Sequence, residues 1–461
     1  MLDKDSQSEA TIAQLRLENS LLKNELSQFK ARLSQNSNNS NKPPSSDGYA
    51  KSKPAIPKFS NKTSGGQVGH KGKTLKMTAL PDEIVKHHPL FCSVCSSKLN
   101  ETNVIEIGSK HQVFDLPVQK LLVIEHQLLL SQCSCGCQTK AYLPSYLANS
   151  PTQYGPNIKS LAVYLNSDFK IPFQKISVLF KDLYGYSFNQ ATALNANQRA
   201  FECLEPIENQ IKEQITMAKV AHADETGIRC NGVLQWLHVT SSNLFTYFFI
   251  HQKRGGLAIE SAKSILQDCK NYLMHDCWSP YFNLPKATHL VCNAHLIREL
   301  QALIEQDSHW ASSMQKFLLD LFENRKKQIL PQELIPKYIK EFHQICQQGF
   351  LEEPPPTKIN GQRGRTKKSK GRNLLERLSS NQDAILSFAF HEEVPFTNNQ
   401  AERDLRTVKT KQKVSACFRA NSGADHYARI QGFISTMRKH NLNPFQQLKF
   451  AFQNQFMWQS C

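Results

Sequence analysis

The sequence has no long apolar run and far fewer acidic than basic residues. None of its apolar stretches approaches the roughly 18 residues of a membrane-spanning helix, and its first residues, MLDKDSQSEATIAQL, lack the apolar core of a signal peptide. We therefore expect a soluble, cytoplasmic protein with no membrane partner. Among 461 residues, 39 Asp and Glu stand against 56 Lys and Arg, a net charge of +17. Such an excess favours a polyanionic partner, nucleic acid ahead of an anionic membrane surface.

Disulfide bonding is a poor explanation for the 13 cysteines, because their number is odd and no export signal is visible. Five of them form two clusters, FCSVC and QCSCGC. Thiolates from two such turns can close around one tetrahedral structural zinc ion. Cysteines without metal in a small strand domain are the alternative. The expected zinc ligands are Cys92, Cys95, Cys133 and Cys135, with Cys137 as a substitute in the second cluster.

A short heptad pattern marks the N-terminal segment and predicts a parallel coiled-coil dimer. Glu18 and Glu25 would face Lys23 and Lys30 of the second helix, and Asn19 takes one core position. An amphipathic helix that packs on its own protein is the alternative. The apolar core positions are Ile12, Leu15, Leu22, Leu26, Phe29 and Leu33.

The next segment is too polar to bury a core and predicts a flexible, basic linker. Between Gly48 and Met77 it contains seven lysines and no acid. Lysines such as Lys71 and Lys73 suit DNA phosphate contact with release of counterions. A linker that is merely solvated is the alternative.

Residues 151–218 have a helical pattern. The stretch QKISVLFKDLYGYSFNQATALNAN predicts a helix, a turn at Gly185 and a second helix capped by Ser187. This arrangement fits either a DNA-binding helix-turn-helix or a plain helical hairpin.

A strand-rich region follows and carries the candidate chemistry. Three strand-like runs predict an antiparallel meander with turns at 230–232 and 241–243, followed by a helix at AIESAKSILQDC and strands at NYLMHD and THLVCNAH. Asp224, Asp276 and Glu402 lie at positions from which two strands and a distant helix can bring them to a common edge, as in a ribonuclease H-like sheet. Three carboxylates on one face can hold two divalent ions for phosphoryl chemistry.

The chain contains a series of recognisable motifs, which occur in this order: GGQVGHKG, HQVFDLP, QYGPNIKSLAVYLN, HADETG, WLHV, HQKRGG, HDCWSPYF, CNAHLIREL, RGRTKKSKGRNLLERL and NNQAERDLRTVKTKQKVSACFR. Over nearly its whole length the chain resembles the transposases of the insertion sequence 66 family of bacterial mobile elements, a branch of the DDE group. The resemblance implies that Asp224, Asp276 and Glu402 are the DDE acids and that two Mg²⁺ or Mn²⁺ ions are the cofactors. It also implies DNA strand cleavage and transfer, a zinc-binding segment at the cysteine clusters, and small companion proteins of the same element as partners.

Other polar residues suit supporting roles at this site. His295 and Arg298 lie one helical turn apart and are candidates to orient phosphate, and a buried structural histidine is the alternative. Asn399 is expected to support the acids. At position 397 this chain has Thr, where the family usually has Asp, so a decayed, inactive transposase copy is one alternative. A non-catalytic DNA-binding protein with a zinc site and a coiled coil is another. The remaining candidates for DNA backbone contact are Arg365, Lys367, Lys368, Arg403, Arg406 and Lys409.

Together these patterns predict a multidomain α/β protein that binds double-stranded DNA as a homodimer or higher oligomer, associated with the bacterial nucleoid when bound. The predicted domains are a coiled-coil helix (1–35), basic linker (36–78), zinc-binding domain (79–150), helical domain (151–218), first part of a ribonuclease H-like core (219–305), basic helical insertion (306–384), second part of the core (385–440) and C-terminal tail (441–461).

Overall fold

The computed structural model describes residues 75–117, 120–356 and 366–458, together with scattered positions between 12 and 40. Within these residues, no helix is long and apolar enough to cross a membrane. Residues 75–150 contain a small hairpin, β1 (Leu130–Gln132) and β2 (Gln138–Lys140). The described residues of this segment contribute no side chain to the buried core.

A five-stranded mixed sheet forms the centre of the fold. The strands β3 (Val220–Cys230), β4 (Val233–Ser241) and β5 (Thr246–His251) are an antiparallel meander, and β6 (Tyr272–His275) and β7 (Thr288–Val291) continue the sheet parallel to β3. The strand order is β5-β4-β3-β6-β7. Asn231 and Gly232 both have positive φ, as a tight hairpin turn requires. The predicted meander and the two strands after it are confirmed, and the sheet is consistent with a ribonuclease H-like core.

Helices cover both faces of this sheet. In the described part of the chain they are α1 (Pro156–Ser167), α2 (Phe173–Tyr184), α3 (Gln190–Cys203), α4 (Glu205–Met217), α5 (Gly256–Ile259), α6 (Asn293–Ile304), α7 (His309–Lys327), α8 (Ile335–Glu352), α9 (Lys370–Ser380), α10 (Gln382–Leu386), α11 (Asn399–Ser415), α12 (Asn421–Lys439) and α13 (Pro444–Phe452).

The side chains of β3 alternate between the two faces. Ala221 and Ala223 pack in a core with α3, α4, α12 and α13. Ile228 and Cys230 pack on the opposite face in a core with α11. Asp224 is an even number of residues from Ile228, so it lies on the α11 face. The helices α6 to α10 share a third core with Met274 of β6 and Leu290 of β7.

Three local predictions are wrong. The second helix of the predicted hairpin is capped by Asn189, whose side chain accepts a hydrogen bond from the Ala191 N–H at 2.9 Å, and not by Ser187. The expected helix at 258–269 is only the short α5 and a 3₁₀ turn, because the Ser261 hydroxyl bonds back to the Ala258 carbonyl at the helix end. The expected C-terminal tail includes α13, whose apolar face is buried in the core with α12.

Candidate active site

Asp224 and Asp276 lie just beyond the stretch over which β3 and β6 pair in parallel, Asp224 within β3 and Asp276 directly after β6. His222 on β3 is in register with Met274 on β6, so the same register places Asp224 beside Asp276, which directly follows β6. Neighbouring strands are about 4.8 Å apart. The Asp276 carboxylate accepts a hydrogen bond from the Trp278 N–H at 3.1 Å. The chain therefore brings two of the three predicted acids together where β6 ends beside β3.

The surroundings of Asp224 disfavour its charge. Burial, together with the neighbouring Glu225 and Asp276 carboxylates, raises the pKa of Asp224 to about 8. The Glu225 N–H donates to the Asp224 carboxylate at 2.8 Å, which only partly offsets this effect. A cation bound beside the two aspartates would relieve their mutual repulsion.

Glu402 reaches the same face from the first turn of α11, which packs on β3 and β4 through Ala401, Leu405 and Val408. Its Oε1 is buried, and within the described residues it has no hydrogen-bond partner. The carboxylate oxygens of the three acids do not all lie within 4.8 Å of one another. In the described residues, the only group of three Cys, His, Asp or Glu side chains that meets this distance contains Glu402 but neither aspartate.

Asn398 anchors the start of α11 to the strand that carries Asp224. Its side-chain amide donates to the Ala223 carbonyl at 2.8 Å, and its Oδ1 lies 2.9 Å from His222 Nδ1. Its backbone N–H donates to Cys292 Sγ at 3.1 Å. Asn398 is buried and the predicted supporting residue Asn399 is exposed, so geometry gives the anchoring role to Asn398. Thr397 directly precedes it and is half-buried.

Glu225 forms a second polar network on the opposite face of β3. Tyr281 donates its hydroxyl proton to Glu225 Oε2 at 2.5 Å, and Arg254 donates to Oε1 at 2.7 Å. The Arg254 guanidinium lies over the Trp278 ring at 4.2 Å. Burial raises the pKa of Glu225, although the Tyr281 and Arg254 bonds oppose this. No sequence pattern other than the acid next to Asp224 indicates this network.

This chain, with two neighbouring aspartates on the sheet and a third acid on a helix, also matches a family model. The model, described as Transposase IS66 family, matches residues 151–426, more than half of the chain. The chain belongs to the IS66 transposase family. A second model, for a family of unknown function (DUF6444), matches residues 3–76. No curated protein matches this IS66 family member.

The basic residues predicted for DNA contact are in different settings in this IS66 family member. Arg403 and Arg406 are exposed on α11. Lys409 follows Glu402 by two helical turns. Burial lowers the pKa of Lys409, and the charge of Asp224 partly opposes this effect. The Lys409 side chain therefore lies near the acids. Lys367 is exposed, whereas Lys368 is paired with Glu376 at 2.5 Å. Lys71, Lys73 and Arg365 lie outside the described residues.

His295 lies in the site, and Arg298 follows it by one turn of α6. Burial lowers the pKa of His295, but the Cys292 sulfur and Glu402 outweigh burial and raise it to about 9. This interaction places His295 beside the third acid. The predicted phosphate-orienting role of His295 and Arg298 stays a prediction.

The two cysteine clusters of the IS66 family member form similar turns. The Cys92 N–H donates to the Ser97 carbonyl and the Cys133 N–H to the Cys137 carbonyl, each at 2.8 Å. A residue with positive φ follows the second cysteine in each turn, Ser96 after Cys95 and Gly136 after Cys135. The structure does not bring the two turns into one four-sulfur cluster.

Proposed function

We propose that the chain is an active DNA transposase that cleaves and joins phosphodiester bonds at the ends of a bacterial insertion sequence. Asp224, Asp276 and Glu402 are the proposed ligands of two Mg²⁺ or Mn²⁺ ions. The observation that carries the proposal is the closeness of Asp224 on β3 to Asp276 after β6, on the sheet face that also packs the helix bearing Glu402.

The donor set fits hard divalent cations. Mg²⁺ and Mn²⁺ prefer carboxylate oxygens, and the site offers three carboxylates. A bound cation would give the buried Oε1 of Glu402 a partner, which it lacks within the described residues. It would also offset the repulsion between Asp224 and the neighbouring carboxylates. When bound, the two ions supply activation of the attacking water or 3′-hydroxyl and stabilisation of the leaving oxygen.

The protein's own residues hold the site in position and bind DNA. Asn398 fixes the start of α11 against β3, which sets where Glu402 lies. Arg403, Arg406 and Lys409 extend along the same helix and suit contact with DNA phosphates. Lys367, in the polar segment just before α9, is also exposed and suits contact with DNA phosphates.

The direct test is cleavage of DNA that carries the sequences flanking this reading frame in its element. We expect nicking at the element ends only when Mg²⁺ or Mn²⁺ is present, and joining of the freed 3′ ends to target DNA. A protein that binds these ends in both metals but never cuts them would support the non-catalytic or decayed alternative.

The N-terminal heptad suits pairing of two chains on two DNA ends. The described positions between 12 and 33 are helical, and the predicted core side chains, such as Ile12, Leu22 and Leu33, are exposed. Exposed apolar residues at heptad spacing are stabilised by burial against a second helix. A parallel dimer is therefore the proposed assembly.

Structural zinc at the cysteine clusters is proposed on the similarity of the two turns. Residues 75–150 expose large apolar side chains such as Val94 and Ile105, so this segment cannot rely on an apolar core for its stability. Cys92, Cys95, Cys133 and Cys135 are the proposed ligands, because a residue with positive φ follows Cys95 and Cys135 alike.

Replacement of Cys92 and Cys95 by Ser should remove one tightly bound zinc per chain. Because metal binding and folding are coupled in such sites, protease resistance of residues 75–150 should fall with it. Zinc content by mass spectrometry and limited proteolysis would measure both effects, with Cys346→Ser as a matched variant elsewhere in the chain. Unchanged zinc content and protease resistance would contradict the zinc assignment.

A further inference from the structure

A compact group of metal-binding side chain types lies beside the acids where α6 and α11 begin. Cys292, His295 and Glu402 each offer one ligand atom, and these atoms all lie within 4.8 Å of one another. Cys292 and His295 are three residues apart, so the start of α6 presents both on one side. We propose that these three residues form a binding site for a single transition-metal ion of the zinc class.

The chemistry of the three ligands selects this class of ion. A thiolate and an imidazole suit Zn²⁺ and Co²⁺, whereas Mg²⁺ and Mn²⁺ favour oxygen ligands. In a tetrahedral zinc site with bonds of 2.0–2.3 Å, the ligand atoms are about 3.3–3.8 Å apart. The three side chains therefore need to approach one another by at most about 1.5 Å, which side-chain rotation can supply. Three protein ligands leave the fourth position open.

Two of the three side chains have polar atoms that lack a partner. His295 Nδ1 and Glu402 Oε1 are buried and, within the described residues, make no hydrogen bond. The Cys292 side chain is fully buried, and its sulfur accepts the Asn398 N–H at 3.1 Å, as donors around metal-bound sulfur do. Because His295 and Glu402 are each partly exposed, an ion has a route to the site from solvent.

The site shares Glu402 with the proposed catalytic acids. A zinc-class ion held by Cys292, His295 and Glu402 withdraws this carboxylate from the Mg²⁺ site, so zinc should compete with Mg²⁺ and inhibit DNA cleavage. This consequence rests on the proposed function. Binding of the ion by Cys292, His295 and Glu402 does not depend on the proposed function, and the experiment measures this binding.

The test is titration of the full-length protein with Co²⁺, which gives a near-ultraviolet charge-transfer band when a thiolate binds it. We expect Cys292→Ser protein to bind one Co²⁺ fewer than the unmodified protein and to lose the matching part of this band. Because the variant is compared with the unmodified protein, Co²⁺ bound at the other cysteine clusters contributes equally to both and does not affect the difference. Cys346→Ser changes a cysteine that is also buried but lies in the core of the helical segment, and it should bind as many ions as the unmodified protein.

Equal Co²⁺ stoichiometry and an equal band in Cys292→Ser protein would overturn the proposal. If that variant does not fold, His295→Gln and Glu402→Gln each remove one ligand and should weaken Co²⁺ binding at this site at least tenfold. Unweakened binding in both of these variants would overturn the proposal in the same way. Protein that binds Co²⁺ as expected but never cleaves DNA would refute the proposed function and leave the metal site standing.

Discussion

Glu402→Gln should abolish cleavage of element-end DNA while leaving DNA binding intact. Glutamine keeps the size and most of the hydrogen-bonding capacity of Glu402 but removes the charge that holds a divalent ion. We expect the cleavage rate to fall about a thousandfold or more, roughly 4 kcal/mol of transition-state stabilisation. Affinity for DNA depends mainly on Lys and Arg surfaces and should change little. Gel-based cleavage and binding assays on the same DNA would measure the two effects separately.

Asp224→Asn and Asp276→Asn should show the same separation of binding from cleavage. A matched control is Glu393→Gln, because Glu393 is exposed in the loop before α11. It should cleave at the normal rate. Near-normal cleavage by Glu402→Gln protein with Mg²⁺ would show that the assignment of the third acid is wrong.

Asn398→Ala should both destabilise the fold and slow cleavage. The change leaves the Ala223 carbonyl and His222 Nδ1 without their bonds in a buried place, which costs about 2–3 kcal/mol in the free energy of unfolding. It also frees the start of α11, and misplacement of a catalytic group by about 1 Å can cost roughly a hundredfold in rate. Denaturant unfolding and single-turnover cleavage would measure the two quantities.

The neighbouring Asn399→Ala variant is the control, because Asn399 is exposed and its loss should change stability by no more than about 0.5 kcal/mol. Cleavage is measured at a temperature where both variants are fully folded, so that a stability effect alone cannot lower the rate. A folded Asn398→Ala protein with a normal cleavage rate would show that Asn398 stabilises the fold without positioning Glu402.

The sequence predicts the strands and the acids on them better than it predicts the contacts that hold the site together. The meander follows from apolar runs with turn residues, and Asp224 and Asp276 follow from their places on two strands. The role of Asn398 does not, because its partners Ala223 and Cys292 are far away in the chain and only folding brings them close. Cys292 reads as an ordinary core cysteine, and its neighbours His295 and Glu402 are revealed only by the packing of α6 against α11.

Local polar chemistry explains the other differences. Asn189 replaces Ser187 as the cap because α3 begins two residues later than the pattern suggests. The Ser261 hydroxyl after α5 bonds to a nearby carbonyl and ends the helix early. Both effects depend on a single side chain, and hydrophobic periodicity does not register them.

The anchoring of α11 by Asn398 has a consequence for the order of synthesis. The ribosome completes both aspartate-bearing strands long before Asn398 and Glu402 emerge, and the helices α7 to α10 are made in between. A nascent or prematurely ended chain therefore carries the paired aspartates without the helix that completes the site. Such a chain would retain the predicted N-terminal DNA-contacting and dimerising segments, so it could occupy element ends, and pair with complete chains, without cutting.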